Sequence, residues 1–159
     1  MTPTIAKKPV HEIKAENARK TITQLHEKFD RTICVNGCFG SSNIGQASGF
    51  IARELALAVP NAFMRCPIAL DPEVEGPTQV LLYDDHQVVI DGCEERCLAK
   101  VLEKRGIKID LSYALDEDFG WQKEAGPHFD EGRMKEIAEK IRADIERQIL
   151  AQQGETSSR

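Results

Sequence analysis

The sequence predicts an open, mostly parallel α/β sheet of four to five strands with helices on both faces, a three-layer architecture. Three observations carry that expectation. Gln87–Asp91 is an apolar β-branched run, the pattern of a buried strand, and Arg31–Asn36 and Ala62–Cys66 read as two further short strands. Amphipathic helical segments separate them. The chain has 159 residues with 41% hydrophobic content, enough to bury a core without disulfides or metal.

In chain order, Val10–Phe29 reads as a loosely amphipathic helix through Ile13, Ala18, Ile22, Leu25 and Phe29. Arg31–Asn36 is the first strand, ended at Gly37. Gly37–Asn43 is small and polar, a loop by composition. Ile44–Val59 resumes helical spacing and Pro60-Asn61 stops it. Ala62–Cys66 is a second strand, followed by a loop carrying Pro72, Gly76 and Pro77. Val80–Tyr83 fits a strand or a helix end equally. Gln87–Asp91 is the next strand, and a helix is expected over Cys93–Lys104, stopped at Arg105-Gly106. Ile107–Tyr113 alternates with period two, a half-buried strand. The stretch 120–128 is irregular. A last helix carries Met134, Ile137, Ile141, Ile145 and Ile149, with Asp130 or Asp118 as its cap. The expected organisation is an N-terminal helix over 1–30, a single α/β domain over 31–153 and a flexible tail over 154–159.

Composition excludes several functions. The formal net charge is −5 and the basic residues are scattered without interleaved aromatics, so nucleic acid is not an expected partner. No stretch has the length of a membrane span, and Glu12, Lys14 and Glu16 interrupt the place of a signal peptide's apolar core. A cytoplasmic protein that meets neither membrane nor nucleic acid is expected, and the chain does not identify protein partners. Thiols stay reduced in that compartment. Five cysteines is an odd number, which a disulfide framework fits poorly. Reduced, clustered cysteines point instead to metal or redox chemistry.

Those cysteines fall at strand ends. Cys38 lies just past the first strand, Cys66 ends the second, and Cys93 follows the strand Gln87–Asp91. In an open parallel sheet, sites form outside the carboxyl ends of the strands. Cys97 comes four residues after Cys93, so a helix over Cys93–Lys104 places both sulfurs on one face, one turn apart. Cys34 sits inside a strand, where a free cysteine behaves as a small hydrophobe. Cys38, Cys66, Cys93 and Cys97 are therefore the expected metal ligands; a sharp turn at Asn36-Gly37 would put Cys34 in place of Cys66. Four thiolates suit zinc or an iron–sulfur cluster. Asp91 reads as a helix cap or a hydrogen-bond partner beside the site, and Gly92 as a place where backbone approaches closely or takes positive φ.

The motif Asp91-Gly92-Cys93, with Cys97 four residues on and Leu98-Ala99 after it, resembles the DGC-domain family of small prokaryotic proteins. The loop Cys38-Phe39-Gly40-Ser41-Ser42-Asn43-Ile44-Gly45-Gln46 is similar to that family's Cys-x-Gly loop, and Asp118-Phe119-Gly120 is similar to its late Asp/Gly element. The resemblance runs from about residue 33 to 120 and implies zinc binding, with Cys38, Cys66, Cys93 and Cys97 as the family's four cysteines. It implies no defined biochemical role. Cys34, the stretch Asp71–Pro77 and the N-terminal helix depart from the family pattern.

Rival chemistries leave weaker traces. Cysteine phosphatases and arsenate reductases use Cys-x5-Arg, but Gly40, Ile44, Pro72, Ala99 and Glu103 stand six residues after the five cysteines. Thiol–disulfide exchange through Cys93 and Cys97 survives, although Cys-x2-Cys is the usual spacing. Gly37, Gly40 and Gly45 match neither nucleotide-loop pattern. His128, in the irregular stretch, is the one histidine with a candidate role as an extra ligand or proton carrier. No residue is assigned to catalysis.

Overall fold

The computed structural model describes residues 4–152; the expected tail over 154–159 lies outside them. The described residues form a four-stranded parallel sheet in the order β2-β1-β3-β4. Its strands are β1 (Ile33–Gly37), β2 (Ala62–Phe63), β3 (His86–Asp91) and β4 (Leu111–Ala114). The helices are α1 (Glu16–Lys28), α2 (Asn43–Ala58), α3 (Glu75–Tyr83), α4 (Cys97–Lys104), α5 (Leu115–Phe119) and α6 (Glu131–Ile145). This is the open α/β layer the sequence predicts, with every strand pair parallel.

Alternation along the strands sorts side chains to the two faces. Ile33 and Val35 of β1 and Val88 and Ile90 of β3 join the cluster built with α2 and α6. Cys34 and Val89 face the other way, against Leu81 of α3 and Leu98, Ala99 and Leu102 of α4. α1 packs outside α3, with Ile13, Ala18 and Ile22 beneath it. All five residues of β1 are buried, which explains why Ile33-Cys34-Val35 shows no polar alternation.

Besides the start of α4, three boundaries differ from the sequence expectation, and the open reading of Val80–Tyr83 resolves as a helix end. The N-terminal helix is shorter: a 3-10 turn at Val10–Glu12 precedes α1. The second strand pairs only through Ala62 and Phe63. Val80–Tyr83 ends a helix that begins at Glu75 and includes Gly76 and Pro77, because proline in a first turn gives up a donor that has no partner there. Ile107 is occupied as a helix stop, its N–H donating to Leu102 O. β4 therefore starts at Leu111. Of the two candidate caps, Asp130 starts α6, accepting from the N–H of Arg133 at 2.8 Å, while Asp118 accepts from Ala114 N–H at 2.6 Å.

Candidate functional site

The strand order places a topological switch between β1 and β3: the chain leaves β1 for β2 on one side and returns to add β3 on the other. The crevice at such a switch is where open α/β sheets bind ligands. Here it is bounded by Cys38–Ser42, which follows β1, and by Gly92–Arg96, which follows β3. Cys38 closes the gap directly. Its N–H donates to Ile90 O at 3.1 Å, and its Sγ accepts from the N–H of Gly92 at 3.3 Å. Ser48 Oγ lies 3.3 Å from the same sulfur. That hydroxyl gives its one proton to Gly45 O at 2.7 Å, so the Cys38 thiol is the donor to Ser48.

The residues Asp91-Gly92-Cys93 each have a physical task. Asp91 is 1% exposed, and its carboxylate accepts from the N–H groups of Leu98 at 2.8 Å and Ala99 at 3.1 Å. It caps α4 from the strand end. Burial raises its pKa, opposed by those two backbone hydrogen bonds. Gly92 makes room: a Cβ there would stand 2.7 Å from Gly45 N and 2.8 Å from Gly45 Cα. The requirement is space, since positive φ occurs at Gly106, Gly120 and Gly126 but not at Gly92. Cys93 then opens a turn rather than a helix.

That turn corrects one expectation. α4 begins at Cys97, so Cys93 and Cys97 do not share one helix face. Arg96 N–H closes the turn onto Cys93 O at 3.0 Å, and Arg96 itself is left-handed at φ 48°. The cause is the reach of Asp91: with its carboxylate holding the N–H groups of residues 98 and 99, the first helical turn starts at 97. Arg96 is fixed outward by Glu117 at 2.7 Å.

The four expected ligands are carried by different elements, and one cleft brings two of them together. Cys38 and Cys97 line a cleft of about 290 Å³ with Pro67, Ile68, Leu98 and Val101. Cys66 is exposed and outside that lining, although it immediately precedes Pro67. Cys93 packs toward the α2 and α6 side, with Lys123 Nζ 3.6 Å from its sulfur. Cys34 is fully buried, and burial pushes its thiol pKa up, with the Asp84 charge adding to that and Arg65 opposing. In metal-free native protein, mass spectrometry after iodoacetamide treatment is expected to find Cys34 modified at least ~100-fold more slowly than Cys66 or Cys97, because it must await an opening of the sheet. Equal rates would contradict the placement of Cys34 in the core.

Lys123 is a site-edge residue that no sequence pattern marks. Asn43 delivers it: Asn43 Oδ1 accepts from Glu124 N–H at 2.7 Å, its Nδ2 donates to Gln122 O at 3.1 Å, and its own N–H donates to Glu124 O at 3.1 Å. Three hydrogen bonds thus tie the irregular stretch to the start of α2. His128 lines a separate cavity with Trp121 and Arg133 and touches none of the cysteines' cleft.

Among the described residues, no group of three or more His, Cys, Asp or Glu side chains is gathered closely enough to hold a metal ion. The four expected ligands are therefore not gathered into a metal centre in this structure. Two of the four, Cys66 and Cys97, are exposed residues, the second at the start of α4.

A doubly wound parallel sheet whose switch crevice is closed by a cysteine, a buried aspartate cap and a space-making glycine defines a small α/β protein with a thiol-bearing edge. The DGC domain matches residues 34–141, more than half of the chain. The protein belongs to the DGC domain family. No curated protein and no solved structure matches the chain, and no helix among the described residues is long and apolar enough to cross a membrane.

Proposed function

We propose that the protein binds zinc through Cys38, Cys66, Cys93 and Cys97 in a reducing compartment, the cytoplasm. The observation that carries this reading is the placement of Cys38 at the switch crevice, its sulfur hydrogen-bonded to Gly92 N–H, with Cys97 in the same cleft. Cys38, Cys66, Cys93 and Cys97 would hold the ion as thiolates, the donor type zinc takes. Cys66, Cys93 and Cys97 would have to close on Cys38 to bind it, since no three of these thiols are gathered among the described residues. The ammonium of Lys123 beside Cys93 offsets part of the negative charge of a four-thiolate site. Four thiolates fill the tetrahedron, so the site holds or hands over metal and does not hydrolyse a substrate.

Metal analysis of protein purified without oxygen, with its visible spectrum, tests the reading. One zinc per chain and no visible band are expected. Iron and sulfide with broad absorption would replace zinc with an iron–sulfur cluster. No metal, with a reversible Cys93–Cys97 disulfide, would make the protein a thiol–disulfide redox protein.

A further inference from the structure

The cleft beside the switch brings together two thiols that sequence spacing does not pair. Cys38 and Cys97 both line it, and Cys93 lies outside that lining. Cys93 packs toward α2 and α6, whereas Cys38 packs against the cluster that contains Leu98 and Ala99 of α4. The thiol that shares a cleft with Cys97 is therefore Cys38.

One strand end holds both. The N–H of Cys38 donates to Ile90 O at 3.1 Å, and its Sγ accepts from Gly92 N–H at 3.3 Å. Asp91, between those two residues in the chain, accepts from the N–H groups of Leu98 and Ala99 at 2.8 and 3.1 Å. The residues Ile90–Gly92 thus fix the first thiol directly and the second through the helical turn that begins with it. The rest of the cleft is apolar, walled by Pro67, Ile68, Leu98 and Val101, and its charged residue is Asp71. Ile68 is 80% exposed and Val101 39%, so the fold leaves uncovered two apolar side chains that a seated apolar molecule would cover.

We propose that the chain with its thiols free of metal uses Cys38 and Cys97 as a dithiol that reduces small disulfides with apolar bodies. Cys97, the exposed member of the pair, gives its proton to water and attacks one sulfur of the disulfide. The S–S bond breaks, and the other half leaves as a thiolate that takes a proton back from water. Cys38 then attacks the Cys97 sulfur of the mixed disulfide. That bond breaks in turn, and the Cys38 proton goes to the departing half, which leaves as a thiol. The pair has lost two electrons to become a Cys38–Cys97 disulfide, and the substrate has gained them to become two thiols. Gly92 N–H, already aimed at the Cys38 sulfur, steadies the charge that sulfur carries as it attacks. Asp71 turns away anionic disulfides.

Full-length chain, reduced and treated with a chelator, tests this with 4,4′-dipyridyl disulfide and, separately, glutathione disulfide. Alkylation with iodoacetamide stops the reaction, and tandem mass spectrometry of tryptic peptides maps the products. Trypsin cuts after Arg96, between Cys93 and Cys97, so the two possible links to Cys97 give different peptides. A Cys38–Cys97 link is expected as the main product. With the dipyridyl reagent Cys97 is expected to react at least ~10-fold faster than Cys66, the scale of one apolar pocket contact, and with glutathione disulfide that advantage disappears. Cys38→Ser leaves Cys97 as a mixed disulfide, Cys93→Ser keeps the link, and Ile68→Glu, at an exposed position, removes the rate advantage. A main link from Cys97 to Cys93 or Cys66, a Cys38 that stays a free thiol, or a Cys97 no faster than Cys66 would overturn the proposal. The reaction is run without metal, so the zinc reading stands or falls separately, on the metal content of the purified protein.

Discussion

Gly92→Ala is expected to lower the melting temperature by about 6–12 °C, the equivalent of about 3 kcal/mol in a chain of this size. The added methyl would sit 2.7 Å from Gly45 N and 2.8 Å from both Gly45 Cα and Ile44 C. All three are backbone atoms at the start of α2, so no side chain can rotate away. Either α2 lifts from the end of β3 or the β3 end bends outward. Both movements stretch the 3.3 Å contact between Gly92 N–H and Cys38 Sγ. Gly40→Ala is the control: its nearest neighbours would be Gly45 Cα at 3.6 Å and Cys38 Sγ at 3.7 Å, ordinary contact distances. Thermal melts of the two variants side by side decide the matter. Equal melting temperatures would show that the crevice is looser than described.

Asp91→Ala comes next in size, at about 2–4 kcal/mol. Two buried N–H groups, those of Leu98 and Ala99, lose their acceptor, and an orphaned buried donor costs about 1–3 kcal/mol. Asp91→Asn keeps one acceptor oxygen and is expected to recover about half of the loss. The pH dependence has a definite sign. Burial raises the Asp91 pKa above its ordinary value of 3.8, so ionisation favours the unfolded chain. The group's contribution is complete below that ordinary value and shrinks as pH rises through the raised folded value. The penalty of Asp91→Ala is therefore expected to be larger near pH ~4 than at neutral pH. Urea melts at the two pH values measure it. A penalty that grew toward neutral pH would contradict a raised pKa and leave the carboxylate as an ordinary charged cap.

Both predictions concern features whose residues were visible in the sequence and whose geometry was not. Strands β1 and β3 could be read from their β-branched runs, because a strand buried on both faces has few other spellings. Helices α2 and α6 could be read from spacing, and Cys34 reads as core for the same reason its strand does. The start of α4 could not be read locally. A helical pattern runs from Cys93, yet the carboxylate of Asp91 reaches past it and sets the first turn at Cys97. β2 looked longer than it is because Met64 and Arg65 have strand-like neighbours, while a side chain of β1 does the pairing instead. Gly76 and Pro77 read as breakers, although a first helical turn accepts them. Lys123 stands in a stretch with no periodicity, held by an asparagine eighty residues earlier in the chain. Only the folded chain brings them together.

The cysteine edge carries the central claim, and zinc binding by single-cysteine variants tests it most directly. Titration of the metal-free chain with zinc against a competing chelator should give one tight site in the wild type and in Cys34→Ser. Cys38→Ser, Cys66→Ser, Cys93→Ser and Cys97→Ser should each weaken it by at least ~100-fold, the scale of losing one ligand from a tetrahedral site. The opposite pattern, with Cys34→Ser losing zinc or the other four variants binding as the wild type does, would contradict a metal site built on the carboxyl edge of the sheet.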